Sequence, residues 1–379
     1  MTVSLTRARV IAYRVRVHGL DRPAPDLSAC PVLATGAQDT PPGRTAPLAV
    51  ASRVSKITHA DIATRIDEGT LALAYTVRAA MHVHAGDHLG RLAAALRVRG
   101  GDELPVTSFG PFGGELAAAG IGFDWAVDHV ATAMREVMAD GVARTKGELS
   151  TALIESTDAR LRPWCEGCGA HHVQDGLFRY ATLAAGLRLV YDRSPAAVRL
   201  VKASGVRKVS ASTARRDLVR EYLRLAGPTT PALLASWLGL TPAAVKAPWE
   251  AASVVEVDVE GDRRWMHPDD LEAVPGRPAR GAVLVPPYDP FVETGDRELL
   301  VPDRARRREV WRATQNPGVL LLGGEVAGVW RHQTARNRLT LTVRPFRALT
   351  VADRRAVEAR AGRLSEALAL SQASVTVDG

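Results

Sequence analysis

The segment "STARRDLVREYLRLAG" (212–227), "TTPALLASWLGL" (229–240), "PAAVKAPWEA" (242–251) and "SVVEVDVEGDRRWMH" (253–267) decides the fold. Its first part carries Leu218, Val219, Tyr222, Leu223 and Leu225 at helical spacing and stops at Gly227, which predicts an amphipathic helix. In the second part Thr230 is placed to cap and Pro231 to occupy the first helical turn. After the turn "GLTP" a brief third helix follows. The last part alternates apolar and polar residues on both sides of "EGD", the pattern of a β-hairpin. Three helices followed by a hairpin is the order of a winged helix-turn-helix.

Two earlier segments read as looser copies. "DWAVDHVATAMREVMADG" predicts a helix ending at Gly141; "TKGELSTALIES" opens with the capping box Thr145/Glu148; "HVQDGLFRYATLAAG" is helical to Gly186 and leads into the strand "LRLVYD". Nearer the start, "TRARVIAYRVRV" and "TAPLAVASRV" are helical, "THADIATRIDEG" is a helix capped by Thr58, and "TLALAYTVRAAMHVHA" alternates as a hairpin. From about Arg277 the texture changes to strand pairs around Gly323-Gly324 and a basic turn near Arg336, closed by the helix "ADRRAVEARAGRLSEAL". The expected architecture is α+β, mainly α: winged-helix units at residues 1–113, 114–198 and 199–276, and a β-rich, barrel-like domain at residues 277–379.

The 379 residues exceed what one ordinary core accommodates, and 46% hydrophobic with 24% charged residues is a globular composition. The net charge of +8 favours a polyanionic partner. Between Arg193 and Arg224 stand nine basic residues, Arg193, Arg199, Lys202, Arg207, Lys208, Arg215, Arg216, Arg220 and Arg224, against Asp217 and Glu221 alone. Such a run is either a solvated helix face or a surface for phosphates. Three cysteines argue against a disulfide framework and for a reducing compartment. Arginines interrupt the apolar residues of "MTVSLTRARVIAYRVRV", which therefore lacks a signal-peptide core, and no stretch has the apolar length to span a bilayer. The expected address is the cytoplasm, at the nucleoid.

Several clusters can carry chemistry. In "TGAQDTPPG" (35–43) Gln38 and Asp39 stand side by side before Pro41-Pro42; read locally, Asp39 or Thr40 caps a helix begun by the prolines and Gln38 is a surface residue. In "RAAMHVH", strand alternation puts His82 on one face with Arg78 and His84, either lining a DNA-facing channel or forming the plain exposed face of a wing. "CEGCGAHH" pairs Cys165 and Cys168 as CxxC with His171 or His172 following. A structural zinc takes four protein ligands, and Cys30 belongs to another predicted unit, so a tight turn with buried thiols is the preferred reading and a zinc on Cys165, Cys168 and His171 the alternative. Asp289 in "PPYDPF" is a turn acid or a DNA-proximal group.

Tandem winged helices, a polar loop after the first helix and a β-rich terminal domain resemble the AlkZ/YcaQ-like bacterial DNA glycosylases. The resemblance rests on that loop, on "TVRAAMHVHAGDHL", "PWCEGCGAHHVQDGLFRYA", "LVPPYDPFVETGDRELLVPD" and "GGEVAGVWR", in that order along nearly the whole chain. It implies monofunctional excision of purines alkylated at N7 or N3, with unhooking of interstrand crosslinks, by a monomer acting on double-stranded DNA without a cofactor. Within the family a Gln-x-Gln or Gln-x-Asp loop positions water and stabilises the sugar cation. Aligned on it, "GAQD" places Gly36 where the first glutamine belongs, Gln38 at the second catalytic position and Asp39 after it as a helper. Arg78, His82, Lys202, Arg207, Lys208, Arg215 and Arg216 are the expected DNA contacts. A DNA-binding regulator or damage sensor without catalysis is the alternative that Gly36 keeps open.

Overall fold

The computed structural model describes residues 3–97, 111–192, 197–205 and 207–378. Arg193, the first residue of the basic run, lies outside the described residues.

The segment that opened the sequence reading folds as its periodicity predicts. Helices Ala211–Ala226, Pro231–Leu238 and Pro242–Glu250 are capped by the side chains of Ser210, Thr230 and Thr241. Strands β10 (Val255–Val259) and β11 (Asp262–Met266) form the hairpin, with Thr229 bridged to Trp265. One partner was not legible: β1 (Val3–Leu5), some 250 residues upstream in sequence, pairs in parallel with β10, Val3 opposite Val257.

Six strands drawn from between residues 37 and 202 share one sheet. β2 (Ala37–Gln38), β3 (Leu71–Tyr75) and β4 (Met81–Ala85) join β5 (Arg144–Thr145), β8 (Leu187–Tyr191) and β9 (Val198–Lys202) in the order β2-β4-β3-β8-β9-β5. The two hairpins β3/β4 and β8/β9 meet through Leu73 opposite Leu189, so each covers an edge that the other would leave open. Helices His59–Glu68, Phe123–Val137, Lys146–Ala152 and Asp175–Ala184 bury their apolar residues in one core with these strands. The capping box Thr145/Glu148 forms as expected, and the Thr58 cap proves to be a capping box as well, with Asp61 as its partner. Strands β6 (Trp164–Cys165) and β7 (Ala170–His171) make a separate two-stranded hairpin.

The expected barrel-like ending is corrected. Strands β12 (Ala282–Val285), β13 (Gly318–Leu322), β14 (Glu325–Ala335), β15 (Arg338–Pro345) and β16 (Gln372–Val377) lie in the open order β12-β13-β14-β15-β16, with no closure among the described residues. β16 reaches β15 in parallel through the helix Val351–Ala367, which a parallel crossover requires, and that helix buries Val357, Ala361 and Leu364 against the sheet. The face is covered by a helix, so nothing drives the sheet to curl onto itself.

The N-terminal helix Arg7–Val17 also packs far from its sequence neighbours. Val10, Ile11, Tyr13 and Val15 enter a core with Val283, Val285, Phe291 and Val319. Arg14 donates to Asp296 at 2.7 Å, Arg264 joins the same carboxylate at 2.8 Å, and the Tyr13 hydroxyl donates to the Arg224 carbonyl at 2.9 Å. These bonds fasten the N-terminal helix, the helix Ala211–Ala226 and the C-terminal residues to one another.

Candidate functional site

The loop after the short helix Val32–Thr35 is built from its acid. Asp39 is fully buried. Its Oδ1 accepts from the backbone N–H groups of Arg44, Thr45 and Ala46, and Oδ2 accepts from the N–H of Gly43 at 2.6 Å and from the Tyr191 hydroxyl at 2.8 Å. Burial pushes its carboxyl up, while these donors pull the other way. The donors occupy both oxygens, so Asp39 folds the loop onto the start of the helix Ala46–Ala51. The local capping reading holds in kind, but that helix begins at Ala46 and not at the prolines, because the N–H groups that need a partner are those of residues 43–46.

Gln38 is held from both sides. Its backbone pairs with His82 across β2/β4, and its carbonyl accepts from the Thr45 hydroxyl at 2.7 Å. The side-chain amide is only half-buried; its N–H reaches Thr40 Oγ1 at 3.3 Å, a weak bond that leaves the amide oxygen with no donor among the described residues. A side chain fixed at its root and open at its tip suits the holding of a water.

Position 36 has no room for a side chain. Gly36 sits at φ +97°, and a Cβ there would lie 2.4 Å from Cε1 of His84 and 3.0 Å from Cβ of His82. The imidazole of His84 fills the space beside the loop.

His82 and His84 are corrected as an exposed face. Both are buried, since β4 is flanked by β2 and β3 and the turn at Gly36 packs on them. Thr76 Oγ1 lies 3.0 Å from His82 Nδ1 and 3.0 Å from His84 Nε2. Burial lowers His82 to about 3 and His84 well below the usual imidazole range, so both rings are neutral at pH 7. Arg78 does not share their strand. It lies in the turn between β3 and β4 at φ +55°, donates to the Trp237 carbonyl at 2.5 Å and faces Glu293 at 3.7 Å, which clamps the helix Pro231–Leu238.

The basic run divides. Arg207 and Lys208 are exposed and line a groove of about 910 Å³ with Arg97, Arg135 and Asp128. Lys202 donates to the Ala139 carbonyl, Arg215 to the carbonyls of Ala95 and Arg97, and Arg216 to Asp217. These three are turned partly to structural duty. Missed altogether was a second groove, about 900 Å³, on the C-terminal sheet, lined by Arg308, Arg312, Arg331, His332 and Arg344. His332 in its lining is lowered by burial first and then by the charge of Arg44, a residue of the Gln38 loop. Arg308 and Arg312 stand in the basic cluster "RARRREVWR" (304–312), a signal the sequence reading passed over, while Arg331 and Arg344 lie isolated on strands.

Asp289 is a turn acid with a larger task. It caps Phe291 and forms a fully buried bidentate pair with Arg53 at 2.6 and 2.7 Å. Arg53 also donates to the carbonyls of His18 and Ala49, which locks the loop-bearing helix to the C-terminal sheet. Of the cysteines, Cys30 is buried in the first core, whereas Cys165 is partly exposed and Cys168 exposed, so the expected burial of the CxxC thiols is corrected. Their turn lies at the tip of the β6/β7 hairpin, away from any core. His171 turns from them, its Nδ1 on the Arg162 carbonyl and its ring against Trp164; His172 faces them.

With fold and loop described, comparison with known proteins gives the class. A family model for AlkZ-like DNA glycosylases matches residues 32–367, and the chain belongs to that family. Among solved structures it is similar to the Streptomyces sahachiroi DNA glycosylase AlkZ, at 20% identity and a TM-score of 0.77, covering 99% of this chain and 100% of that one. No curated protein matches. No described helix is long and apolar enough to cross a membrane.

Proposed function

We propose that this protein is a monofunctional DNA glycosylase that removes purines alkylated at N7 or N3 from duplex DNA, crosslinked purines among them. The observation that carries the reading is Gln38: its backbone is fixed by β4 and Thr45, and its amide oxygen is open to hold a water. An N7-alkylated purine already bears positive charge and leaves readily, so the enzyme needs to orient the attacking water and to stabilise the oxocarbenium-like sugar. A side-chain amide does the first through its oxygen, and the partial negative charge of that oxygen contributes to the second. Asp39 acts as the positioning residue of the loop, since its oxygens are engaged elsewhere.

DNA as substrate agrees with the family, the net charge and the two arginine-lined grooves. The order helix, bridge or short strand, helix, helix, hairpin recurs at 123–202 and 211–266, and its later part recurs at 37–85, which supports a reading as three winged-helix units side by side. Tandem units in one chain do what dimer symmetry does elsewhere, so the protein acts as a monomer beside the nucleoid.

Incubation with a duplex containing N7-methylguanine, followed by alkaline cleavage, tests the reading. Wild type should generate abasic sites, and Gln38→Ala should lose at least about tenfold of the rate while binding the duplex equally. A second reading, DNA binding without excision, is favoured by the packed Gly36. It prevails if wild type cuts no more than Gln38→Ala and both bind.

A further inference from the structure

The β6/β7 hairpin lies outside the functions described so far. Each strand has two residues, with Trp164 opposite His171 and Cys165 opposite Ala170. A two-stranded hairpin of this size is marginal in water by itself. At its tip the Cys165 carbonyl accepts from the N–H groups of Cys168 at 3.2 Å and Gly169 at 2.9 Å, with Gly169 at φ +60°. The turn swings the two sulfurs to the same side. Ligand atoms of Cys165, Cys168 and His172 all lie within 4.8 Å of one another.

His172 carries the second observation. Its Nδ1 is engaged with the Val173 carbonyl at 2.8 Å, which places the proton there and leaves the lone pair on Nε2. That Nε2 atom is shielded from solvent and has the Cys165 thiol as its polar neighbour. Two thiols and one imidazole nitrogen thus stand together at the tip of the hairpin.

We propose that Cys165 Sγ, Cys168 Sγ and His172 Nε2 bind one thiophilic divalent cation of the Zn²⁺ class, with solvent in the fourth position. Tetrahedral zinc, with bonds of about 2.3 Å to sulfur and about 2.1 Å to nitrogen, sets its ligand atoms roughly 3.6 to 3.8 Å apart. The three groups reach that spacing by closing about an ångström, within the freedom of an exposed hairpin. Both thiols give their protons to solvent as the ion binds. The ion fastens the hairpin to the start of the helix Asp175–Ala184, three residues past His172, where Gln174 caps the first turn and Lys146 pairs with Asp175. Soft thiolates with one imidazole select zinc over magnesium or calcium.

Cobalt titration of the full-length protein, purified under reductant without chelator and stripped of metal, tests this. Co²⁺ should produce thiolate-to-cobalt charge-transfer absorption and tetrahedral d–d bands at one equivalent, and Zn²⁺ should displace it. Cys165→Ser and Cys168→Ser should abolish the bands, His172→Asn should weaken cobalt binding at least tenfold, and His171→Asn should leave it unchanged. Circular dichroism of each variant separates loss of the site from loss of the fold; an unfolded variant is replaced by the matching alanine variant. The proposal is overturned if folded wild type gives no thiolate–cobalt band while all thiols titrate as free, if Cys165 and Cys168 are recovered as a disulfide that takes up no metal, or if His171→Asn removes the bands and His172→Asn does not.

Discussion

The hydroxyl of Tyr191, at the end of β8, donates a 2.8 Å hydrogen bond to Oδ2 of Asp39, 152 residues earlier in the chain. That bond joins the second hairpin of the six-stranded sheet to the loop that presents Gln38. Burial and the neighbouring carboxylate push the phenol far up, so it remains a donor at every working pH. Tyr191→Phe removes the donor and keeps the ring. Hydrogen bonds to charged groups are worth about 2 kcal/mol, and urea unfolding should show a loss of that order. Excision of N7-methylguanine should fall with duplex affinity unchanged.

Gly36 invites the opposite experiment, introducing a glutamine. Gly36→Gln alone should destabilise the protein, because its Cβ meets the His84 ring at 2.4 Å and its φ of +97° costs roughly 1–3 kcal/mol for a residue with a side chain. Pairing it with His84→Ala opens the space. The double variant should be more stable than Gly36→Gln, as read by thermal unfolding, and should cut faster than His84→Ala.

The buried pair Arg53–Asp289 couples the loop-bearing helix to the C-terminal sheet. Asp289→Asn strands a guanidinium at no exposure and should cost about 3–5 kcal/mol. Arg53→Met combined with Asp289→Asn should cost less than the two single changes added together. A denaturation double-mutant cycle measures the difference.

Acid should weaken the fold through the histidines behind the loop. His82 titrates near pH 6.5 when unfolded and at about 3 when folded, so between those values the unfolded chain holds the extra proton. Stability therefore falls as pH falls through that window. Buried carboxyls whose range is raised, such as Glu221 and Glu293, act in the opposite sense, which makes a comparison the cleaner measurement. Relative to His82→Gln, wild type should lose about 1.4 kcal/mol more per pH unit between pH 6 and 5.

The local elements were written in the chain. Helix period, capping residues and hairpin alternation located the helices and hairpin of 211–266, and the cap at Thr58 and the capping box at Thr145 formed as their spacing requires. Such signals are short-ranged, set by neighbours three or four residues apart, and a single sequence contains them in full. The order of weak motifs likewise pointed to the family that residues 32–367 match. Tertiary structure alone decided who meets whom. Alternation placed His82 and His84 on one face but not that the turn at Gly36 would cover it. Asp39 read as a cap or as a helper; Tyr191 and four backbone N–H groups made it a clamp, and a bond spanning 152 residues leaves no local trace. The same holds for β1 on β10, for Arg53 on Asp289, and for the choice of His172 over His171 beside the cysteines. Burial, which decides whether a polar side chain is a ligand, a clamp or a surface group, depends on contacts between distant segments that exist only once the chain has packed.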